Sequence, residues 1–352
     1  MPAQWIVQSV QADSRIIHSF ASLSLQRLMK HVLVTGGCGY KGSVLVPKLL
    51  AAGHRVRVID NQWFGNYLEP HHNLLVQQVD IRDIAFMAFK QLDAIIHLAG
   101  IANDPCGELD GKLTWEVNVY GTMRLAEAAI RCRTKQFIFA SSASVYGLKD
   151  NRPVVETDLL TPVSDYNKTK QAAERVLLSY ADKMAIQIIR PATVCGYSPR
   201  MRLDTMVNLL TMQALTKGEI TAHCGEHGGD LMRPNIHIED ITDLYVWLVD
   251  HPEVTGIYNA GFENISAMDT ATMIAEEIEA KINITTVKDK RSYAVDSSKL
   301  LATGFTPKKT VRDAILRMAG AYRAGGLKDE ERCYKLEHMM AQGLVNETRS
   351  RN

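Results

Sequence analysis

From residue 31 onward, short apolar runs alternate with longer stretches in which apolar residues recur every three or four positions. The runs "HVLVT" (31–35), "RVRVID" (55–60), "LLVQQVD" (74–80), "AIIHLAG" (94–100), "QFIFASS" (136–142) and "IQIIRPA" (186–192) read as strands. Between most of them, residues 41–52, 112–132 and 166–182 carry helical periodicity. Strand and helix alternating at this length predict an α/β fold, a parallel sheet covered on both faces with right-handed crossovers. After about residue 192 the pattern shifts to shorter strands, loops rich in Gly, Arg and His, and helices near 204–217, 239–250, 267–280 and 310–323. That shift predicts a first domain at 29–192 and a smaller α/β lobe, mainly 193–325, over the carboxyl edge of the sheet. Residues 326–352, with "KDEERCYKLEH", are charged and expected to be a peripheral tail. Residues 1–28 carry Arg15 and Arg27 against the single acid Asp13, and "MKHVLVTGG" runs from Met29 straight into the first strand. They are expected to be an extension outside the fold.

Composition narrows the function classes. A chain of 352 residues, 46% hydrophobic and 22% charged, has ordinary globular usage and ample capacity for a core. Forty Lys and Arg against 39 Asp and Glu leave a net charge of +1, so no broad basic field exists for nucleic acid. No segment approaches the roughly 20 apolar residues of a membrane span, and no membrane partner is expected. Six cysteines, widely scattered, suit a reducing compartment, and a cytoplasmic location is expected. His223, Cys224 and His227 lie close together but lack a second ligand pair at zinc spacing, so they read as a solvated loop with no metal.

The candidate chemistry begins at "VLVTGGCGYKG", a glycine cluster between a strand and a helix. Gly36, Gly39 and Gly42 have G-x-x-G-x-x-G spacing, and Gly37, Gly39 and Gly42 also satisfy G-x-G-x-x-G. Such glycines permit a tight turn and close approach of a pyrophosphate, while the helix N-terminus offers unpaired N–H groups to the anion. Asp60 ends the second strand, where a carboxylate accepts hydrogen bonds from adenosine ribose hydroxyls and repels a 2′-phosphate. Asn61 beside it adds no positive charge, so NAD is favoured over NADP. Asp80 and Ile81, ending the third strand, have two readings, as flanks of the adenine ring or as a simple turn.

With a dinucleotide site argued, "SDYNKTK" (164–170) gains meaning. Tyr166 and Lys170 are four apart, on one face of a helix. A tyrosine is a weak base at neutral pH, but a neighbouring ammonium favours the phenolate, which can take the proton from a substrate hydroxyl as hydride leaves. Lys170 would also hold the nicotinamide ribose. Ser142, in "FASSASVYG" at the end of the fifth strand, is the candidate for orienting the substrate oxygen; a plain strand-to-loop turn is the competing account.

Together, "TGGCGYKG", Asp60, "HLAG" (97–100), "NVYGT" (118–122), "SSASVYG" and "YNKTK" resemble the extended short-chain dehydrogenase/reductase family, in particular its nucleotide-sugar branch, over residues 30–325. The resemblance implies a Rossmann-type doubly wound sheet and a Ser142, Tyr166, Lys170 trio, with Asn118 supporting the helix or the site. It implies cofactor contacts from Tyr40 and Lys41 in the glycine loop, from Leu98, Ala99 and Gly100, and from Pro191. It assigns a nucleotide-diphosphate sugar to Arg233, in "RPNIHIEDITDLY", to Asn208 and Arg291, and to the Ser142–Ala143 stretch. Arg200 and Arg202, in "RPATVCGYSPRMRLD", are candidates for the diphosphate or an acidic sugar, or loop braces. Members that dehydrate a hexose carry an Asp-Glu pair where this chain has Ala143 and Ser144, so 4,6-dehydration is not expected. The leading reading is a 4-epimerase; a 4-dehydrogenase or 4-ketoreductase uses the same trio, and a non-catalytic NAD-binding protein has no need of a basic tyrosine. The resemblance also implies a homodimer through helices 112–132 and 166–182, whose apolar residues occupy more than one face.

Overall fold

All six predicted strands form, and the helical stretches between them fold as helices with one interruption. A computed structural model describes residues 29–84, 92–147, 149, 152–225, 231–287 and 292–344. The expectations for residues 1–28, His227 and Arg291 lie outside the described residues. The first six strands are β1 (His31–Thr35), β2 (Arg55–Asp60), β3 (Leu74–Gln78), β4 (Ala94–His97), β5 (Gln136–Ala140) and β6 (Ala185–Pro191). They are followed by β7 (Thr193–Cys195), β8 (Glu219–Cys224), β9 (Met232–His237), β10 (Gly256–Ala260), β11 (Glu263–Ser266) and β12 (Lys281–Thr286).

Seven of these build one parallel sheet in the order β3-β2-β1-β4-β5-β6-β10. The order reverses between β1 and β4, and the carboxyl ends of strands at such a switch point open a crevice for ligands. Because the sheet is covered on both faces, its central strands are buried: β4 and β5 are buried at every position. One face packs under helices Gly42–Ala51 and Ile238–Asp250, the other under Gly121–Arg131 and Asp165–Leu178.

The expected continuous helix over 112–132 is broken. Gly111–Trp115 and Gly121–Arg131 are α-helical, but Glu116–Tyr120 between them is a π-helical turn, which buries Asn118. Such turns re-aim a single side chain at the cost of regular hydrogen bonding.

The boundary at 192 is less clean than the sequence pattern implies. The chain returns to the first domain, adding helix Ile238–Asp250 and strand β10 to the main sheet. The remaining elements form the second lobe, where helices Met206–Lys217, Ala267–Ile278 and Val311–Arg323 pack with β8 and β12. The C-terminal residues are not peripheral. Leu327, Cys333 and Met339 are buried, and Met339 joins the core beneath the main sheet. Their charged neighbours masked this in the sequence, because the few apolar positions that anchor the segment are spaced too irregularly to read as an element. Among the described residues no helix is long and apolar enough to cross a membrane, and all six cysteines are free thiols.

Candidate active site

A cleft of about 620 Å³ opens at the carboxyl ends of β1, β2, β4 and β5. The glycine loop forms its floor. Gly36 has φ +72° and donates to the Ile59 carbonyl at 2.8 Å, and a Cβ at this position would stand 2.6 Å from the Ala99 backbone nitrogen. Gly37 lies against Val58 and Gly42 against the Gly37 carbonyl, each too close for a side chain. The turn is therefore a cradle of backbone bare of side chains at the start of helix Gly42–Ala51, the arrangement that accepts a pyrophosphate.

Asp60 stands at the lip of this cradle. It accepts from Gln62 N–H (2.7 Å) and Cys38 N–H (3.0 Å), which fixes its carboxylate. Burial pushes its pKa up, and those two N–H groups, with Arg200 and Lys335, oppose the shift. Asn61 also lines the cleft. Asp80 caps the turn Ile81–Asp83 through Arg82 N–H (2.8 Å), as the turn reading expected, and with Ile81 it lines the cleft. Arg82 grips it further, Nη2 to Oδ2 at 2.8 Å.

Ser142, Tyr166 and Lys170, the candidate trio, line the cleft together. Ser164 caps helix Asp165–Leu178 by accepting from Asn167 N–H at 3.2 Å, and Asp165 in the first turn complements the helix dipole. The buried stripe of this helix, Thr169, Lys170, Ala173, Glu174 and Leu177, follows helical spacing and turns Tyr166 and Lys170 toward the cleft. Lys170 donates to the Ala140 carbonyl at 2.9 Å, and its Nζ lies 6.0 Å from the Tyr166 ring centroid. Burial lowers its pKa to about 8, with Glu174 opposing.

Tyr166 departs from expectation. Its pKa is raised rather than lowered: burial dominates, while a hydrogen bond with Ser142 and the charge of Arg202 favour the phenolate. The Lys170 charge does not reverse this, because its ammonium is directed to the Ala140 carbonyl.

Ser142 is oriented by a chain of hydrogen bonds. Its Oγ lies 2.7 Å from Ser144 Oγ, which donates to Asn167 Oδ1. The Asn167 amide is fixed in turn by donating to Asp104 at 3.1 Å, and Asp104 also accepts from Ser164 Oγ at 2.5 Å. With the Ser144 proton committed to Asn167, the Ser142 hydroxyl proton is the one that can turn from Ser144 Oγ to Tyr166 or to an oxygen in the cleft.

Several residues expected to bind ligands line the cleft, including Tyr40, Lys41, Leu98, Ala99, Gly100, Pro191, Arg200, Arg202 and Arg233. Others do not. Asn208 is fully buried: Oδ1 accepts from Gly196 N–H (2.8 Å), and Nδ2 donates to the Tyr40 hydroxyl (3.0 Å) and the Arg202 carbonyl (2.8 Å). Its amide is spent on bracing the glycine loop against the second lobe, so the expected substrate contact is corrected to a positioning role. Ala143 is likewise corrected, since it is 1% exposed and packs with Val145, Tyr146, Val154 and Val295. Asn118 stands behind the cleft, clasping Ile101 N–H and C=O (2.9 and 3.0 Å) and donating to Thr169 on the catalytic helix (3.0 Å).

Sequence reasoning missed Asn103, which lines the cleft in a strained conformation, φ +81°. Its side chain caps helix Asp104–Leu109 through Cys106 N–H (2.9 Å) and donates to Asp204 (2.9 Å), which also pairs with Arg202 (2.6 Å). It also missed Lys335, Leu336, Glu337 and Met339, which supply a further wall.

Known proteins are similar to this chain in sequence and fold. The "Probable UDP-arabinose 4-epimerase 3" of Arabidopsis thaliana is 28% identical over 66% of this chain, which spans 64% of that protein's length. The UDP-glucose 4-epimerase of Thermus thermophilus, solved in complex with NAD, superposes with a TM-score of 0.75 at 26% identity, covering 83% of this chain and 99% of that one. The UDP-glucuronic acid 4-epimerase of Bacillus cereus, in complex with UDP-glucuronic acid and NAD, gives 0.74 at 25% identity over 84% and 99% of the two chains. The NAD dependent epimerase/dehydratase family matches residues 32–261, from the first strand of the glycine cradle through the last strand of the main sheet. By that match the chain belongs to the NAD-dependent epimerase/dehydratase family.

Proposed function

We propose that the protein is a nucleotide-sugar 4-epimerase that works by transient oxidation at C4. The cradle at Gly36–Gly42 fits the pyrophosphate of NAD, the family's cofactor, and Asp60 fits its adenosine ribose. NAD, when bound, supplies the hydride acceptor and donor. Tyr166 takes the proton from the sugar 4-hydroxyl, and Ser142 Oγ donates to the same oxygen as it becomes a carbonyl. Lys170 holds positive charge beside the phenolate. After the 4-keto sugar presents its other face, Tyr166 returns the proton. Arg233, across the cleft, is the candidate for the substrate diphosphate.

The observation that carries this reading is the conjunction of Ser142, Tyr166 and Lys170 with two uncharged residues, Ala143 and Ser144, directly after the serine. Ala143 is buried and Ser144 is committed to Asn167, so the two positions beside the serine bring no acid and no base for dehydration. A panel of UDP-sugars incubated without added cofactor tests it. Redox-neutral interconversion of C4 epimers is the expected result; stoichiometric reduction of added NAD would replace it with a dehydrogenase.

A homodimer belongs to the same proposal. Trp115 and Tyr120, in the 112–132 region, and Leu178, at the end of the catalytic helix, are 41%, 46% and 38% exposed, an apolar surface suited to helix pairing. Light scattering should give twice the chain mass, and a monomer would refute the pairing.

A further inference from the structure

The cleft holds more positive charge than its own carboxylates neutralise. Arg202 is paired with Asp204, and Lys170 with the Ala140 carbonyl. Arg200 and Lys335 are different. Arg200 is 3% exposed; its guanidinium lies 4.2 Å from the Phe64 ring centroid, one nitrogen donates to the Met201 carbonyl, and Nη2 has no partner. Lys335 Nζ lies 5.8 Å from the same ring and has no hydrogen bond or ion pair among the described residues. A buried donor without an acceptor costs free energy unless something else supplies one.

The position of the two cations says what that acceptor is. Both lie against Phe64, in the loop that follows Asp60 at the ribose end, and Arg200 is two residues from Arg202, whose partner Asp204 accepts from Asn103 on the side of the cleft that holds Tyr166. Both line the cleft floored by the glycine cradle, between that loop and Arg202. A dinucleotide spanning those ends carries its pyrophosphate in the middle.

The segment bearing Lys335 is tied to both sides. Its Cys333 carbonyl accepts from Leu203 N–H at 2.8 Å, next to Arg202. Arg332 donates to the Tyr67 hydroxyl at 2.5 Å, and His338 Nε2 meets the Trp63 carbonyl at 3.1 Å, both in the loop that follows Asp60. Met339 anchors the far end in the core.

We propose that Lys335, seconded by Arg200, binds the pyrophosphate of the dinucleotide, and that residues 327–344 are a clamp that carries this lysine into the cofactor cleft. The inference rests on the NAD site argued above. It adds an anion ligand from the end of the chain to the backbone cradle at its beginning.

Calorimetric titration of cofactor-stripped, full-length protein tests it, with NAD, ADP, adenosine and UDP-glucose as probes and Lys335→Met, Lys335→Arg and Met340→Ala as variants. Met340 is 63% exposed on helix Lys335–Ala341, which begins at Lys335, and controls for that helix's integrity. Loss of a charge-assisted phosphate contact should weaken NAD and ADP by about ten- to a hundredfold in Lys335→Met. Adenosine, which lacks the pyrophosphate, should bind unchanged; Lys335→Arg should recover most of the loss, and Met340→Ala should match wild type. Equal NAD affinity in Lys335→Met and wild type would overturn the clamp and leave the cofactor site standing. Loss of UDP-glucose affinity with NAD retained would overturn it too, assigning the lysine to the substrate diphosphate. A wild-type protein that takes up no NAD would sink both readings.

Discussion

Arg190 on β6 grips Glu174, one helical turn beyond Lys170, with Nε to Oε1 at 2.9 Å and Nη2 to Oε2 at 2.6 Å, and both side chains are 3% exposed. The pair does not stand alone. Ser141 Oγ donates to Glu174, and Arg190 donates to the Tyr146 hydroxyl at 2.9 Å, which donates to Asn259 on β10. Helix Asp165–Leu178 is thereby joined through side chains to β6, to β10 and to the loop that follows β5.

Breaking such a pair strands a buried charge. Glu174→Gln keeps the shape but leaves Arg190 uncompensated, and should cost about 3–5 kcal/mol of stability. Urea denaturation measures it. The same variant removes the charge that holds the Lys170 pKa up, so any loss of Lys170 charge with rising pH should begin at lower pH than in wild type.

Tyr166→Phe removes the proton acceptor and little else. Turnover should fall by at least about 10²–10⁴-fold, the usual worth of general acid–base catalysis, while NAD remains bound. Ser142→Ala should lower kcat with a smaller effect on KM, because its hydroxyl matters most as charge develops on the sugar oxygen. Ser144→Ala acts only through Ser142, and should cost less than either. Turnover that survived Tyr166→Phe would refute the mechanism.

The pH profile should be bell-shaped, and the signs can be assigned. Tyr166 must lose its proton to act as base, and burial raises its pKa, so kcat should rise through the alkaline side of neutrality. Binding runs the other way. Burial, then the charges of Lys170 and Arg202, lower the Lys41 pKa to about 7; burial, then Arg202 and Arg200, do the same for Lys335, with Asp204 opposing. A cation with a depressed pKa helps an anion bind only while protonated. NAD affinity should therefore be greatest below pH 7 and decline as pH rises beyond it, which calorimetry at several pH values would detect. A flat profile would mean that neither lysine faces the bound anion.

The sheet and the cradle were legible in the sequence because each rests on local periodicity: apolar runs for buried strands, glycines at fixed spacing between a strand and a helix. Tyr166 and Lys170 were legible as a pair because helical geometry alone puts them on one face. What was not legible depends on contacts between distant segments. Glu174 and Arg190 lie on different elements, and nothing near either marks them as partners. Asn208 was assigned to substrate by resemblance, but only the fold reveals that Tyr40, Gly196 and Arg202 consume its amide. Lys335 was hidden differently, since a charged segment near the end of a chain reads as solvated, and three buried side chains suffice to make it a wall.

Two glycines in the cradle separate folding from binding. Gly36 combines φ +72° with a site where a Cβ would lie 2.6 Å from backbone, so Gly36→Ala is strained and must push β1 from the loop after β4. It should be destabilised by at least about 1–3 kcal/mol, and bind NAD poorly as a consequence. At Gly39 φ is ordinary, and the nearest atom to an added Cβ is the Gly36 carbonyl oxygen at 3.2 Å, a contact relieved by a small shift. The Gly39→Ala chain should melt close to wild type, yet its methyl group would occupy space that the cofactor's phosphates need. Loss of NAD binding with stability retained is the expected result, read by calorimetry beside a thermal melt. If Gly39→Ala binds NAD normally, the pyrophosphate does not approach the backbone at this turn.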